Sequence, residues 1–252
     1  MKKIDINHMI GDWVGADLDS LNELQVQQEL DYYRIDKIVA YHAMARSYNP
    51  ISGNERLLKL ARSDGFENII PCLILSPHYK YAVGWNALEE LLLEEKIRFA
   101  KLCPKEHGYY LHSKHTHELF QIASKLNIHL LIDYEDIIDA AGTELPEFEN
   151  LLQTFPTVNV IVTAFRHRRN MVIYTYMERF PNFYTELSLF DNWLAYEELV
   201  KRFGSDRLLW GSNMPFNKPG SAISMLSYAD ISKSDKEKIA FGNLELLLQG
   251  GV

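Results

Sequence analysis

The sequence predicts an α/β fold, a single (β/α)8 TIM barrel. Eight apolar, strand-like runs alternate with helical patterns along the chain, and this alternation is typical of a parallel sheet whose strands are joined by helices. The chain has 252 residues, of which 47% are hydrophobic. That length suits one α/β barrel or two small domains, and the apolar content is enough for a packed core. Because no change of composition marks a boundary, residues 1–252 are predicted to form one domain.

The eight strands are predicted at the apolar runs Ile4–Met9, Lys37–His42, 68–75, Arg98–Cys103, Ile128–Asp133, Val158–Ala164, Asn182–Ser188 and Arg207–Gly211. Helices are expected between them, at about 21–34, 54–63, 80–95, 117–126, 147–154, 170–180 and 193–202. The tail, residues 232–248, is expected to be a helix, a Gly-Asn break and a second helix. In such a barrel the loops that follow the strands carry the chemistry.

Composition excludes several classes of function. The net charge of −8 disfavours a general role on nucleic acid or on an anionic membrane. The first ten residues lack a long apolar segment, so no signal peptide is predicted, and no apolar run reaches the roughly 18 residues needed to span a membrane. Cys72 and Cys103 form no CxxC pair and no disulfide framework, which suits a reducing, cytoplasmic location.

Residues 202–216, RFGSDRLLWGSNMPF, form the most informative stretch. They resemble the last strand of the amidohydrolase superfamily, in its amidohydrolase-related branch. There the pattern is arginine, a hydrophobic pair, an aromatic or small residue, Gly-Ser, an aspartate, one residue and proline. In this chain Asn213 stands in the place of the aspartate. The resemblance implies that this position would otherwise serve as a metal ligand and a proton acceptor.

The resemblance extends over most of the chain. The opening IDINHMIG fits the frame of an Ile-Asp, His-x-His motif, but Asn7 and Met9 take the two histidine positions. The fifth strand ends in Asp133 and the sixth in Ala164, where the family has histidines. The fourth strand, FAKLCP, places Cys103 where histidine is common. The closing segment, Ile239 to Leu248, is similar to the family's C-terminal Gly-Asn and double-leucine motif.

These substitutions bear on the metal that the family would use, which is zinc or another divalent ion. A hydrolytic zinc site needs about three protein ligands and an open position for water. Amide and thioether groups are poor substitutes for imidazole and carboxylate, so Asp133 is the one good hard ligand left. We therefore expect no family-type metal site and no cofactor. A substitute site among the histidines of residues 103–117 is a less favoured alternative to a solvated loop.

Alternation along the strands places polar side chains toward the barrel axis. Asp133, Lys101 and Asn213 are predicted to be catalytic. Asp133 would act as a base or position water, and Lys101 and Asn213 would stabilise developing negative charge. Each also has a structural alternative: a salt bridge between Lys101 and Asp133, and a loop-capping role for Asn213. Residues predicted to bind the substrate are Asn7, Cys103, Arg166, Arg168, Glu186 and Ser188; for the arginines the basis is bidentate binding of a carboxylate or phosphate.

Two functions remain open at this point. The first is a metal-independent hydrolase or lyase acting on a small carboxylated molecule. The second is a catalytically inactive descendant that binds a small molecule or regulates another process. The expected partner in either case is a small, anionic substrate or ligand, with no nucleic acid and no membrane. The resemblance is also compatible with a homodimer.

Overall fold

The computed structural model describes residues 1–13 and 23–250. In these residues eight parallel strands form one sheet in the order of the sequence, β1 to β8. Their bounds are Ile4–Ile10, Lys37–His42, Ile69–Leu75, Phe99–Leu102, His129–Asp133, Val160–Thr163, Phe183–Glu186 and Leu208–Leu209. Each predicted strand is present, and β8 is the shortest, with two residues.

The two edges of the sheet meet. The backbone N–H of Ile6 donates to the carbonyl of Trp210 at 3.1 Å, and that of Met9 donates to the carbonyl of Met214 at 2.8 Å. These bonds place β1 beside β8 and nearly close the barrel, as the βα alternation predicts. The register between β1 and β2 shifts between Asp5 and His8, which marks a bulge in the first strand.

Twelve α-helices lie in the described residues. They are α1 to α12, at Glu23–Tyr33, Ala43–Ser47, Pro50–Ala61, His78–Ala82, Trp85–Glu94, Lys114–Leu126, Pro146–Thr154, Asn170–Arg179, Ala195–Phe203, Gly220–Tyr228, Lys233–Glu237 and Asn243–Gln249. The predicted start of the first helix, near Leu21, lies outside the described residues. None of these helices is long and apolar enough to cross a membrane.

Some predicted helix bounds are wrong, for local reasons. The helix expected over 80–95 is two helices, because Gly84 takes a positive φ of 87° between them. The third helix begins at Pro50 rather than 54, because the side chain of Asn49 accepts from the N–H groups of Ile51 and Ser52. The Gly-Asn break expected in the tail is absent: residues 238–242 form a π-helical turn that leads into α12.

Buried apolar side chains fall into two clusters, one between sheet and helices and one inside the barrel. On β2 the assignment alternates residue by residue: Ile38 and Ala40 belong to the outer cluster, and Val39 and Tyr41 to the inner one. This is the alternation expected of a strand in a packed barrel. The lower part of the interior is thus apolar, while several inward-facing residues near the strands' C-terminal ends are polar.

Candidate active site

The polar residues at the C-terminal ends of the strands converge on the barrel axis. Asp133, Thr163 and Glu186 are the last residues of β5, β6 and β7, Lys101 lies on β4, Asn7 on β1, and Asn213 follows β8. All six are buried. We call this set the mouth cluster. It brings together five residues that the sequence singles out: Asn7, Lys101, Asp133, Glu186 and Asn213.

A buried ion pair lies at the centre of the mouth cluster. Lys101 Nζ is 2.6 Å from Asp133 Oδ1, and the Lys101 side chain is fully buried. Thr163 Oγ1 also donates to Asp133 Oδ1, at 2.5 Å. Burial alone would raise the pKa of Asp133, but the charges of Lys101 and Arg46 outweigh it and the pKa lies below its usual value. Burial likewise opposes the charge of Lys101, yet Asp133 holds the pKa of Lys101 above its usual value. Both groups are therefore charged at neutral pH.

Arg46 supplies a second cation. It lies on α2, directly after β2, and its Nη1 is 3.3 Å from Asp133 Oδ2 and 3.3 Å from the hydroxyl of Tyr41. Its guanidinium lies over the rings of Trp13 and Phe216, at 5.2 Å and 5.7 Å from their centroids. These two rings meet edge to face. Arg46 thus sits against one side of the ion pair with aromatic surface beside it.

Arg46, Tyr41 and Thr163 were not predicted as site residues from the sequence. The sequence nevertheless contained a pattern that could have indicated each of the three. Arg46 follows the predicted second strand by four residues, and such positions are where barrel chemistry is found. Tyr41 lies two residues after Val39, and Thr163 two residues after Ile161. Their side chains therefore face the barrel interior, as those of Val39 and Ile161 do.

Asn7 connects the ion pair to the other side of the mouth cluster. Its Oδ1 accepts from Lys101 Nζ at 3.3 Å, and its Nδ2 donates to Asn213 Oδ1 at 3.1 Å and to Glu186 Oε1 at 3.4 Å. The Lys101 ammonium carries only N–H donors, so the oxygen of the Asn7 amide, and not its NH₂ group, must face Lys101. The amide hydrogens of Asn7 must then point toward Asn213 and Glu186. Asn213 Nδ2 in turn donates to Asn217 Oδ1 at 3.2 Å.

Glu186 is a fully buried carboxyl group held by backbone and side-chain donors. It accepts from the N–H of Ala164 at 2.6 Å, the N–H of Ser188 at 2.5 Å and the hydroxyl of Ser188 at 3.0 Å. Burial raises the pKa of Glu186; these hydrogen bonds oppose the shift and the charge of Asp5 adds to it. Gly211 leaves room for this side chain, since an added Cβ there would lie 3.0 Å from Glu186 Oε2.

Two residues at the mouth have a left-handed backbone. Ala164 has a φ of 56° and Asn213 a φ of 57°. Asparagine tolerates this region, whereas alanine pays a steric cost in it. Such conformations persist where the surroundings enforce them, and they concentrate at functional sites. The backbone N–H of Ala164 donates to Glu186 Oε1 at 2.6 Å, so this backbone lies directly against the site.

The remaining predicted residues lie around the mouth cluster. Cys103 is buried in the inner apolar cluster, and burial raises the pKa of its thiol. Arg166 pairs with Glu135 at 2.8 Å on the surface and, with Ser188 and Asn217, borders a cleft of about 410 Å³. Arg168 lies outside the network, where its backbone N–H donates to Asn192. The roles predicted for these residues in substrate binding stay predictions.

The histidines of residues 107–117 do not form one group. His107 bonds to the carbonyl of Arg46, His115 to Glu118 and Tyr81, and His117 packs on Phe155. His8, between the two altered ligand positions of β1, bonds to Asp5 rather than to the mouth cluster. Across residues 1–13 and 23–250, no three His, Cys, Asp or Glu side chains are placed to hold a metal ion.

The mouth cluster does not fit the divalent metal that the resemblance implies. Its oxygen donors are two amides, one hydroxyl and the carboxyls of Asp133 and Glu186, with no imidazole. The ammonium of Lys101 already contacts Asp133, Asn7 and Thr163. A metal at Asp133 would have to displace that ammonium and tolerate Arg46 beside it, and amide oxygens bind transition metals weakly.

Comparisons with known proteins agree with the fold. A family model described as Amidohydrolase matches residues 84–245, more than half of the chain. No curated protein matches the sequence. A solved 2,6-dihydroxybenzoate decarboxylase from Rhizobium superposes with a TM-score of 0.73 and 14% identity, covering 99% of each chain.

Two other solved structures are similar. A 5-carboxyvanillate decarboxylase from Novosphingobium aromaticivorans, which contains manganese and 3-methoxy-4-hydroxy-5-nitrobenzoic acid, has a TM-score of 0.75 and 14% identity, over 98% of this chain and 97% of that chain. An uncharacterised TIM-barrel protein from Bordetella bronchiseptica has a TM-score of 0.71 and 16% identity, over 99% of each chain. Identities this low establish a shared barrel, and the family model is what establishes membership. The chain belongs to the amidohydrolase family.

Proposed function

We propose that this protein is an enzyme that binds a small carboxylated molecule at the barrel mouth and cleaves one of its bonds without a metal, as a hydrolase or a lyase. The observation that carries the proposal is the buried arrangement of Lys101 and Arg46 around a single ionised carboxylate, Asp133. Arg46 Nε also lies 3.8 Å from Glu106 Oε1, and the Arg46 side chain is partly exposed at the mouth. An anionic substrate would compete with Glu106 for this guanidinium, whose charge favours anions at the mouth.

Arg46 is the best-placed residue to hold a substrate carboxylate. A guanidinium binds carboxylates through two parallel hydrogen bonds. The aromatic rings of Trp13 and Phe216 pack against the guanidinium of Arg46. A flat, carboxylated molecule suits such surroundings. The names of the similar solved structures support this class, because two of them are decarboxylases of carboxylated aromatic compounds. Arg166 and Arg168, which the sequence suggested for this role, lie farther out.

The two carboxyl groups of the mouth suit different tasks. Asp133, with its lowered pKa, is a weak base and would position water or a substrate group. Glu186, with its raised pKa, is the better carrier of a proton to or from the reacting centre. Lys101 and Asn213 would stabilise negative charge that develops on the substrate.

A second candidate function is a binding protein without catalysis. Asp133 accepts from Lys101 and Thr163 and is paired with Arg46, so it has little capacity left to activate water. That saturation favours ligand recognition over turnover, and the two candidates differ in whether a bound ligand is consumed.

The test is calorimetric titration of chelator-treated protein with hydroxybenzoates, aliphatic mono- and dicarboxylates, and their methyl esters. We expect at least one acid to bind and its ester to bind at least ten times more weakly. Arg46→Met should weaken binding of the acid by a similar factor, about 1.4 kcal/mol or more. The control is Arg62→Met, an exposed arginine paired with Glu95 on the outside of the barrel, which should bind as the wild type does.

Incubation of each bound acid with wild-type protein then separates the two candidates. Release of carbon dioxide indicates a lyase, appearance of a hydrolysis product indicates a hydrolase, and unchanged ligand indicates a binding protein. If no carboxylate in the panel binds, or if acids and esters bind equally well, the proposed substrate class is wrong.

A further inference from the structure

Lys101 has as many hydrogen-bond partners as it has donors. Its ammonium contacts Asp133 Oδ1 at 2.6 Å, Asn7 Oδ1 at 3.3 Å and Thr163 Oγ1 at 3.3 Å. An ammonium group carries three N–H donors and no acceptor. The ring of Tyr41 covers it from another direction, with its centroid 4.7 Å from Nζ. The three N–H donors of the ammonium are therefore all satisfied in the interior of the barrel.

We infer that the Lys101 ammonium is the resident cation of this barrel and takes the position among the oxygens of Asn7, Asp133 and Thr163 that a divalent metal would otherwise occupy. The protein thus carries the positive charge of its site on a side chain instead of recruiting it from solution. The inference does not depend on which substrate binds, or on whether turnover occurs.

The donor set is matched to an ammonium and not to a divalent ion. Asp133 contributes one negative charge, and Asn7 and Thr163 contribute neutral oxygens. Thr163 donates its own hydrogen to Asp133, which leaves the lone pairs of its oxygen for Lys101. Asn7 presents its oxygen because its amide hydrogens are used by Asn213 and Glu186. With Lys101 in place, one carboxylate and two neutral oxygens supply too little negative charge for a divalent ion as well, although oxygen donors of this kind are ones that Mn²⁺ accepts.

Charge also opposes a second cation. Asp133 is already flanked by Lys101 at 2.6 Å and Arg46 at 3.3 Å. A divalent ion that reached Asp133 would face both positive groups at short range in a region shielded from water, where repulsion is poorly screened. Removal of Lys101 should relieve this repulsion and vacate the space between the three oxygens.

The experiment is titration of chelator-treated protein with Mn²⁺, followed by calorimetry and by the electron paramagnetic resonance signal of free Mn²⁺. We expect no Mn²⁺ bound to the wild type at concentrations up to about 1 mM, the affinity range of weak carboxylate sites. Lys101→Ala should bind one Mn²⁺ per chain at least ten times more tightly, and Asp133→Asn on that background should abolish the binding. The control is Lys125→Ala, which removes an exposed lysine paired with Glu89 and should, like the wild type, bind no Mn²⁺ in this range.

Two results would overturn the inference: one Mn²⁺ bound to wild-type protein in a way that needs Asp133, or a folded Lys101→Ala that binds no better than the wild type. If Lys101→Ala does not fold, the wild type decides the matter by ¹⁵N NMR of its lysine side chains. A slowly exchanging NH₃⁺ signal, present at neutral pH and unaffected by Mn²⁺, supports the resident cation. A neutral amine, or a signal broadened by low concentrations of Mn²⁺, contradicts it.

Discussion

Asp133 and Glu186 end strands two apart in the same barrel, yet their surroundings shift their pKa values in opposite directions. Both are buried, and burial favours the protonated form of each. Asp133 has Lys101 and Arg46 within 3.3 Å. Glu186 has neutral donors only, from Ala164, Ser188 and Asn7. Full charges outweigh the cost of burial at Asp133, and neutral dipoles do not outweigh it at Glu186.

The difference assigns separate tasks to two chemically similar groups. A carboxylate whose pKa is lowered fixes cations and positions ligands, and a carboxyl whose pKa is raised is better suited to carry a proton. Asn7 lies between them and bonds to both Lys101 and Glu186. A substitution on the Lys101 side is therefore expected to alter the surroundings of Glu186 as well, and this coupling can be measured.

The largest effect is expected from loss of the ammonium. Lys101→Met removes one partner of a buried ion pair and should lower the free energy of unfolding by about 3 kcal/mol. The value lies at the low end of such losses because Arg46 continues to pair with Asp133. Urea denaturation at pH 7 measures it, with Lys125→Met at an exposed position as the control, expected to cost at most about 1 kcal/mol. A loss as small as the control's would mean that the pair contributes little.

The opposite pKa shifts predict opposite pH dependences. The stability contributed by Asp133 should be present above its usual pKa of 3.8 and lost as the pH falls below it. The raised pKa of Glu186 should make the wild type lose stability as the pH rises above the usual value of 4.5.

Urea unfolding of the wild type, Asp133→Asn and Glu186→Gln between pH 3 and pH 8 tests this pair of signs. The gap between wild type and Asp133→Asn should shrink toward pH 3. The gap between wild type and Glu186→Gln should shift in favour of the variant toward pH 8. Two gaps that change in the same direction would show that the two sides of the mouth are not electrostatically distinct.

The barrel was predictable from the sequence because strand patterns depend on local residues. Runs such as residues 128–133 and 158–164 are apolar at most positions of both alternating sets, which is typical of strands buried on both faces. Asp133, Lys101, Asn7, Glu186 and Asn213 could be placed at the mouth by the same reasoning, since each ends or follows a strand or shares its inward parity.

The contacts of the site were less predictable. Arg46 reaches Asp133 across two intervening strands, and no pattern within β2 or β5 specifies that pairing. The direction of each pKa shift depends on which residues lie nearby in three dimensions, so the sequence does not show that the pKa values of Asp133 and Glu186 shift in opposite directions. The division of residues 80–95 into two helices rested on one φ angle at Gly84, which a helix-like pattern does not reveal.

A further pH-dependent effect is expected at Asp136, which lies beside the Asp133 side of the mouth. Burial and the charge of Asp133 raise the pKa of Asp136 to about 6. The wild type should therefore lose stability as the pH rises from the usual value of 3.8 through 6. Asp136→Asn keeps an oxygen for the N–H of Lys105 and should stabilise the protein at pH 8 by roughly 3 kcal/mol, which corresponds to a pKa raised from 3.8 to about 6, with no gain at pH 4.

Thermal unfolding at both pH values measures this, with Asp64→Asn in an exposed turn as the control. An equal change at pH 4 and pH 8 would attribute the effect of Asp136→Asn to packing and not to charge.

The smallest effect concerns the strained backbone that serves Glu186. Ala164→Gly should relieve the cost of a φ of 56°, about 1–2 kcal/mol for alanine, while losing roughly 0.4–1 kcal/mol through the freer unfolded chain. The net gain should be about 0.5 kcal/mol. Ala141→Gly, in an exposed loop without a positive φ, should only lose stability.

The N–H of residue 164 would be held less firmly toward Glu186, so any carboxylate ligand identified by calorimetry should bind more weakly to Ala164→Gly although the protein is more stable. Stability and affinity that rise together would indicate that the strain has no part in the site.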